Sequence, residues 1–156
     1  LVPLLTGERD AIRDWALAGI FGRWVQLVDG RRKYARAPVR ADNLPLSMWS
    51  NRWSTMPIPS LPGLRLPRPD RSAFLDFMPG SDVPVIRQPF RPGGPLPYWS
   101  LGMRAGDHHC YRLEDDPGET ENRLGGVDER DMIELLRVAL HEVEAPAEQL
   151  ERLGIA

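Results

Sequence analysis

The chain has 156 residues, 42% hydrophobic and 27% charged, which suits one soluble-type domain with a modest core and excludes disorder of the whole chain. Its one cysteine, Cys110, excludes an intrachain disulfide, and no apolar run approaches the roughly 18 residues of a membrane span. The net charge of −2 hides an asymmetry: residues 1–38 carry seven basic and four acidic side chains, residues 39–106 eight and four, and residues 107–156 five and fourteen. The acidic third is expected to fold back on the basic part, leaving no unopposed basic face for a nucleic acid.

Residues 1–7 read as one helical turn stopped by Gly7. Trp15–Gly22 is a short apolar run with two glycines, which favours a buried strand over a helix. Arg23–Val28 alternates with period two, with Trp24, Gln26 and Val28 on one face and Val25 and Leu27 on the other. Asp29-Gly30 is a turn signal, and Arg32–Ala37 can return as the paired strand. His108–Leu113 alternates again and reads as a fourth strand, with one histidine inward and one outward rather than a shared metal site. Asp128, with Asp131 three residues on, is expected to cap a helix. Met132, Leu135, Leu136, Ala139, Leu140 and Val143 form its apolar stripe, and His141 falls on its surface. Pro146 ends that helix and opens a shorter one, which Gly154 stops. Arg31, Arg32, Lys33 and Arg36 read as the polar tip and outer face of the hairpin rather than as a polyanion site.

Between these elements, Pro38 to Pro97 holds thirteen of the sixteen prolines. Proline lacks the N–H that helix interiors and central strands require, so residues 39–100 are expected to be irregular. They also carry Trp49, Trp53, Phe74, Phe77, Phe90, Tyr98 and Trp99, which a solvated linker would not. The fold class expected is therefore α+β, a small four-stranded antiparallel sheet packed with a C-terminal helix, with a long proline-rich insertion. Trp49, Arg52, Trp53 and Met56 gather three large apolar side chains and a cation within eight positions of that insertion.

Four segments, in order, carry a resemblance. YRLEDDPGETENRL at 111–124 resembles the "LYDLENDPGETNNL" pattern near the C-terminus of sulfatases. LVPLLTGE at 1–8 resembles "SLLPLLRGE", where the family's large domain gives way to its small one. VQLVDGRRKYARAP at 25–38 resembles the "VTDGRYKYIRYP" hairpin, and APAEQLERLGIA at 145–156 resembles the closing "APAELYRRLGL". A fifth, MWSNRWSTMP at 48–57, resembles "LYEYTLMPTHM" of one branch, but Ile58-Pro59 stands where that branch has Thr-His.

The resemblance implies that residues 1–156 are one sulfatase-type C-terminal subdomain, with the large catalytic domain outside the chain. It implies a parent sulfuric ester hydrolase that uses a divalent cation, Ca²⁺, and a formylglycine made within C-x-P-x-R. Cys110 is followed by Tyr111, Arg112, Leu113 and Glu114, so that motif is absent here, and no catalytic or metal-ligating residue is assigned to this chain. Trp49, Arg52, Trp53 and Met56 would line the substrate cleft, Arg52 meeting an anion. The partner implied is the parent's N-terminal catalytic domain. Apolar side chains deprived of it, Trp49 and Trp53 first, would lie exposed or be covered by a second copy in a homodimer. The alternative is a free-standing module whose loop aromatics meet a ligand or a protein. The chain begins Leu-Val-Pro, without an initiator Met and with no visible signal peptide, which fits a fragment or a processed chain and reports no compartment.

Overall fold

The alternating segments pair as their spacing demands. In the computed structural model, which describes residues 2–51, 70–94 and 104–156, a short helix α1 (Val2–Leu5) is followed by strands β1 (Ala16–Gly19), β2 (Val25–Val28) and β3 (Arg32–Arg36). Strands β4 (Ser47–Ser50), β5 (Phe74–Phe77), β6 (Pro84–Pro89) and β7 (His109–Arg112) come next. Helices α2 (Val127–Glu142) and α3 (Ala147–Leu153) close the chain. The fold is α+β. Its first sheet is four-stranded and antiparallel in the order β1-β2-β3-β7.

The register lines up Leu27, Tyr34 and Cys110 across three strands, each 0% exposed. Because side chains alternate along a strand, this row shares one face. Met132, Leu136, Ala139 and Leu140 of α2 pack over it, joined by Trp15 and by Leu150, Leu153 and Ile155 from the C-terminal end. Val143 of the expected stripe instead sits at the helix C-cap and is exposed. At the hairpin the Asp29 carboxylate accepts from the amides of Arg31 and Arg32, while Gly30 takes the positive φ of 85° that the turn requires.

The hairpin's basic residues meet the acidic third. Arg31 pairs with Glu114, Lys33 with Glu119 at 2.7 Å, and Arg36 reaches Glu129 at 4.0 Å. Arg32 faces Asp128 at 3.9 Å and Asp131 at 3.5 Å. That arrangement corrects the expected helix cap. Gly126, not Asp128, is the N-cap and bears no side-chain bond. Asp128 accepts from Arg112 at 2.7 Å instead, and Glu129 takes the Gly125 amide at 2.6 Å. Two arginines on the neighbouring strands make a stronger demand on Asp128 than one helix-end amide.

The insertion is also corrected: it holds a second antiparallel sheet, β4-β6-β5, among its described residues. Its central strand β6 begins and ends on proline, Pro84 and Pro89, so both rings stand at strand ends, where missing amides interrupt least. Gln88, buried within β6, holds Asp70 and Ser72 before β5 through its side-chain amide. α3 spans from this sheet back to the first. Its C-cap Gly154 has φ 65°, and a Cβ there would meet Val39 Cγ1 at 2.7 Å, so conformation and space both require glycine.

Candidate functional site

β4 and α3, together with the turn between β1 and β2, enclose a cleft of about 320 Å³ whose walls include Phe21, Trp24, Trp49, Met78, Glu148 and Arg152. Of the residues expected to line a cleft, Trp49 does so; Arg52, Trp53 and Met56 lie outside the described residues. Trp49, expected to lie exposed or under a second copy, is half-buried, and Trp53 lies outside the described residues. Trp15 is buried, and Trp24 is half-buried within the chain's own contacts. Trp99 also lies outside the described residues. On β5, Phe74, Leu75 and Phe77 are uncovered, at 47%, 71% and 54% exposed.

Behind the Ser47, Trp49 and Glu148 side of the cleft lies an ionic cluster centred on Arg87, which does not itself line the cavity. The Arg87 guanidinium lies 4.7 Å from the Trp49 ring centroid and 5.7 Å from that of Phe74. It donates to Glu148 Oε2 at 2.6 Å, Asp76 Oδ2 at 2.9 Å and Ser47 Oγ at 3.2 Å. Ser47 donates onward to the same Glu148 oxygen at 2.8 Å, and the Trp49 indole N–H points to Glu148 Oε1 at 3.4 Å. Burial works against the Arg87 charge, yet the bonds to Asp76 and Glu148 outweigh it and raise its pKa above the ordinary value. The same bond to Arg87 holds the Asp76 carboxyl below the usual carboxylate range.

The floor is Arg152, 1% exposed, which donates to Asn43 Oδ1 at 2.8 Å, Gln149 Oε1 at 3.1 Å and the Arg23 carbonyl at 3.1 Å. Asn43, itself buried with φ 60°, passes the network on to the Gly22 carbonyl at 2.7 Å. Burial depresses the Arg152 pKa to about 10. Neither Arg87 nor Arg152 was recognisable as a site residue in the sequence. Arg87 sits in a proline-bounded strand that the composition hides, and Arg152 stands among ordinary charged residues of a short helix.

The cleft is largely apolar, with the hydrogen-bonded Glu148 and the buried Arg152 among its lining, which suits an apolar or aromatic group. Ser47 is 4% exposed, and its oxygen already accepts from Arg87 while donating to Glu148, so it is poorly disposed to attack a substrate. Cys110 lies elsewhere, in the core, its thiol pushed up by burial to about 11. A residue so enclosed does not fit the formylglycine that the resemblance implies for a parent enzyme. Among the described residues no group of three or more His, Cys, Asp or Glu side chains is placed to hold a metal ion. His108 and His109 have separate partners, the Ala37 amide and the Tyr111 hydroxyl. Among the described residues no helix is long and apolar enough to cross a membrane. Compared with known protein families, curated proteins and solved structures, the chain gives no match.

Proposed function

We propose that this chain is the C-terminal subdomain of a sulfatase-like sulfuric ester hydrolase, completing that enzyme's fold and shaping its substrate cleft while a separate large domain supplies the chemistry. The observation that carries this reading is where the resembling segments fall. VQLVDGRRKYARAP at 25–38 spans β2, its turn and β3. YRLEDDPGETENRL at 111–124 leaves β7 and returns, the Arg123 amide donating to the Cys110 carbonyl at 2.8 Å. APAEQLERLGIA at 145–156 holds α3 and the buried Leu153 and Ile155. Each segment serves one sheet and its cover, as parts of one small domain would.

The test is the reading frame upstream of Leu1, followed by an assay. A C-x-P-x-R segment some hundreds of codons upstream supports the proposal. The polypeptide alone, given Ca²⁺ or Mn²⁺, should hydrolyse neither aryl sulfates nor aryl phosphates, because a nucleophile and a metal supply the transition-state stabilisation these reactions need. Turnover that survives repurification and a Cys110→Ala control sinks the subdomain reading. A second reading is a free-standing binding module, favoured by the self-contained Trp49 cleft; a start codon immediately before Leu1 would select it.

A further inference from the structure

The ladder between β3 and β7 ends at Ala35 paired with His109. Beyond it Ala37 is 0% exposed, so its amide needs an acceptor inside the protein. The His108 ring supplies one: the Ala37 N–H donates to Nδ1 at 3.1 Å. A ring nitrogen that accepts carries no proton, which fixes His108 as the neutral tautomer protonated on Nε2. Three further bonds seat the same loop, one of them from the Asn122 side-chain amide to the His108 carbonyl at 3.2 Å. The Gly106 N–H donates to the Pro38 carbonyl at 2.8 Å, and the Trp24 indole N–H to the Asp107 carbonyl at 2.9 Å. Trp24 is a wall of the apolar cleft.

We propose that His108 is a pH-sensitive latch: neutral, it clamps the 104–108 loop to the end of β3; protonated, it releases the loop and with it the Trp24 wall of the cleft. A proton added to Nδ1 points at the Ala37 N–H, so two donors face each other and a buried amide loses its acceptor. The bond cannot survive in that form, and the loop must move for both groups to find water.

The charged neighbours come from three elements. Arg36 on β3 and the adjacent His109 oppose the imidazolium, while Glu129 on α2 and Asp107 in the loop favour it. Burial and Arg36 prevail, so the ring titrates below its ordinary 6.5 and the latch is closed at neutral pH. The device rests on hydrogen bonds within this chain and holds whichever ligand the cleft takes.

The chain has three histidines, His108, His109 and His141, so the test is clean. Ring NMR of the whole chain should show the His108 ring fixed with its proton on Nε2. Between about pH 7.5 and about pH 4.5 the protection of the Ala37 amide against hydrogen exchange should fall by about tenfold or more. His108→Asn, which sets a non-titrating carbonyl oxygen where Nδ1 stands, should abolish that fall; His109→Gln and His141→Gln should retain it. Ala37 protection that is flat with pH in the wild type, or a fall that persists in His108→Asn, overturns the latch. Should the Asn variant not fold, the wild type decides. The Trp24 indole N–H signal must shift with the midpoint of the His108 ring, and a different midpoint refutes the coupling.

Discussion

Arg87 on β6 reaches across to Glu148 on α3 at 2.6 Å, and this bond ties the second sheet to the C-terminal helix. Glu148 also accepts from Ser47 and, at 3.4 Å, from the Trp49 indole, so one carboxylate serves three partners on two strands. Replacing it by Ala leaves Arg87 and Ser47 partly buried with fewer acceptors. Arg87 keeps Asp76, and solvent reaches about a quarter of its side chain, which softens the loss. Glu148→Ala should therefore lower stability by about 1–3 kcal/mol. Urea denaturation measures it, and an unchanged midpoint would show that the two sheets hold together without this bond.

Arg152 makes a harsher demand. Its guanidinium satisfies Asn43, Gln149 and the Arg23 carbonyl at once, in a site 1% exposed. Arg152→Lys keeps the charge but cannot present a planar fork to three acceptors. Both Arg152→Lys and Arg152→Ala should cost at least about 2 kcal/mol, since each strands buried acceptors. The check is thermal unfolding of the two variants side by side. A Lys variant as stable as the wild type would mean that charge, not the fork, is what the site requires.

The first sheet was legible because its signals are local. Period-two alternation at Arg23–Val28 and the Asp29-Gly30 turn specify a hairpin without reference to anything distant. The stripe from Met132 to Leu140 specifies a helix face in the same way. The second sheet was not legible, because proline density counts amides lost and ignores where they are lost. Pro84 and Pro89 bound β6 and leave its interior free to pair on both sides. The misplaced cap has a similar origin: Asp128 next to a helix start looks like a cap until Arg112, distant in sequence order, arrives on β7. Trp49 lines a cavity of this chain. Its partners Arg87 and Glu148 lie 38 and 99 positions away, and no short-range pattern joins them.

Leu136 lies on α2 over the Leu27–Tyr34–Cys110 row and is 0% exposed. Truncation removes three buried carbons and leaves a void that the sheet backbone cannot close. Leu136→Ala should destabilise by roughly 2–5 kcal/mol. A loss under 1 kcal/mol by urea denaturation, on the order of an exposed substitution, would mean that α2 does not pack on the sheet as described.

Alkaline pH should unfold the domain through its core. The Cys110 thiol ordinarily ionises near 9.0, and burial, then the nearby Asp128 and Glu129 carboxylates, push it up to about 11. In the unfolded chain the thiol loses its proton first, so the folded state holds the extra proton as pH rises. Stability contributed by a raised pKa is complete below the unfolded value and is lost on the way up to the folded one. Between pH 9 and pH 10 this group alone should remove about 1 kcal/mol of stability. Tyr34, pushed from 10.0 to about 12 by burial, extends the decline above pH 10. Arg152 acts in the opposite sense there, its folded pKa being depressed to about 10, so the cleaner window is pH 9 to 10. The measurement is the urea midpoint across that window for the wild type and for Cys110→Ala. The variant starts lower, having lost a buried side chain, but its curve should be flatter. Parallel curves would show that Cys110 ionises as readily folded as unfolded, which a residue at 0% exposure cannot do without opening the sheet.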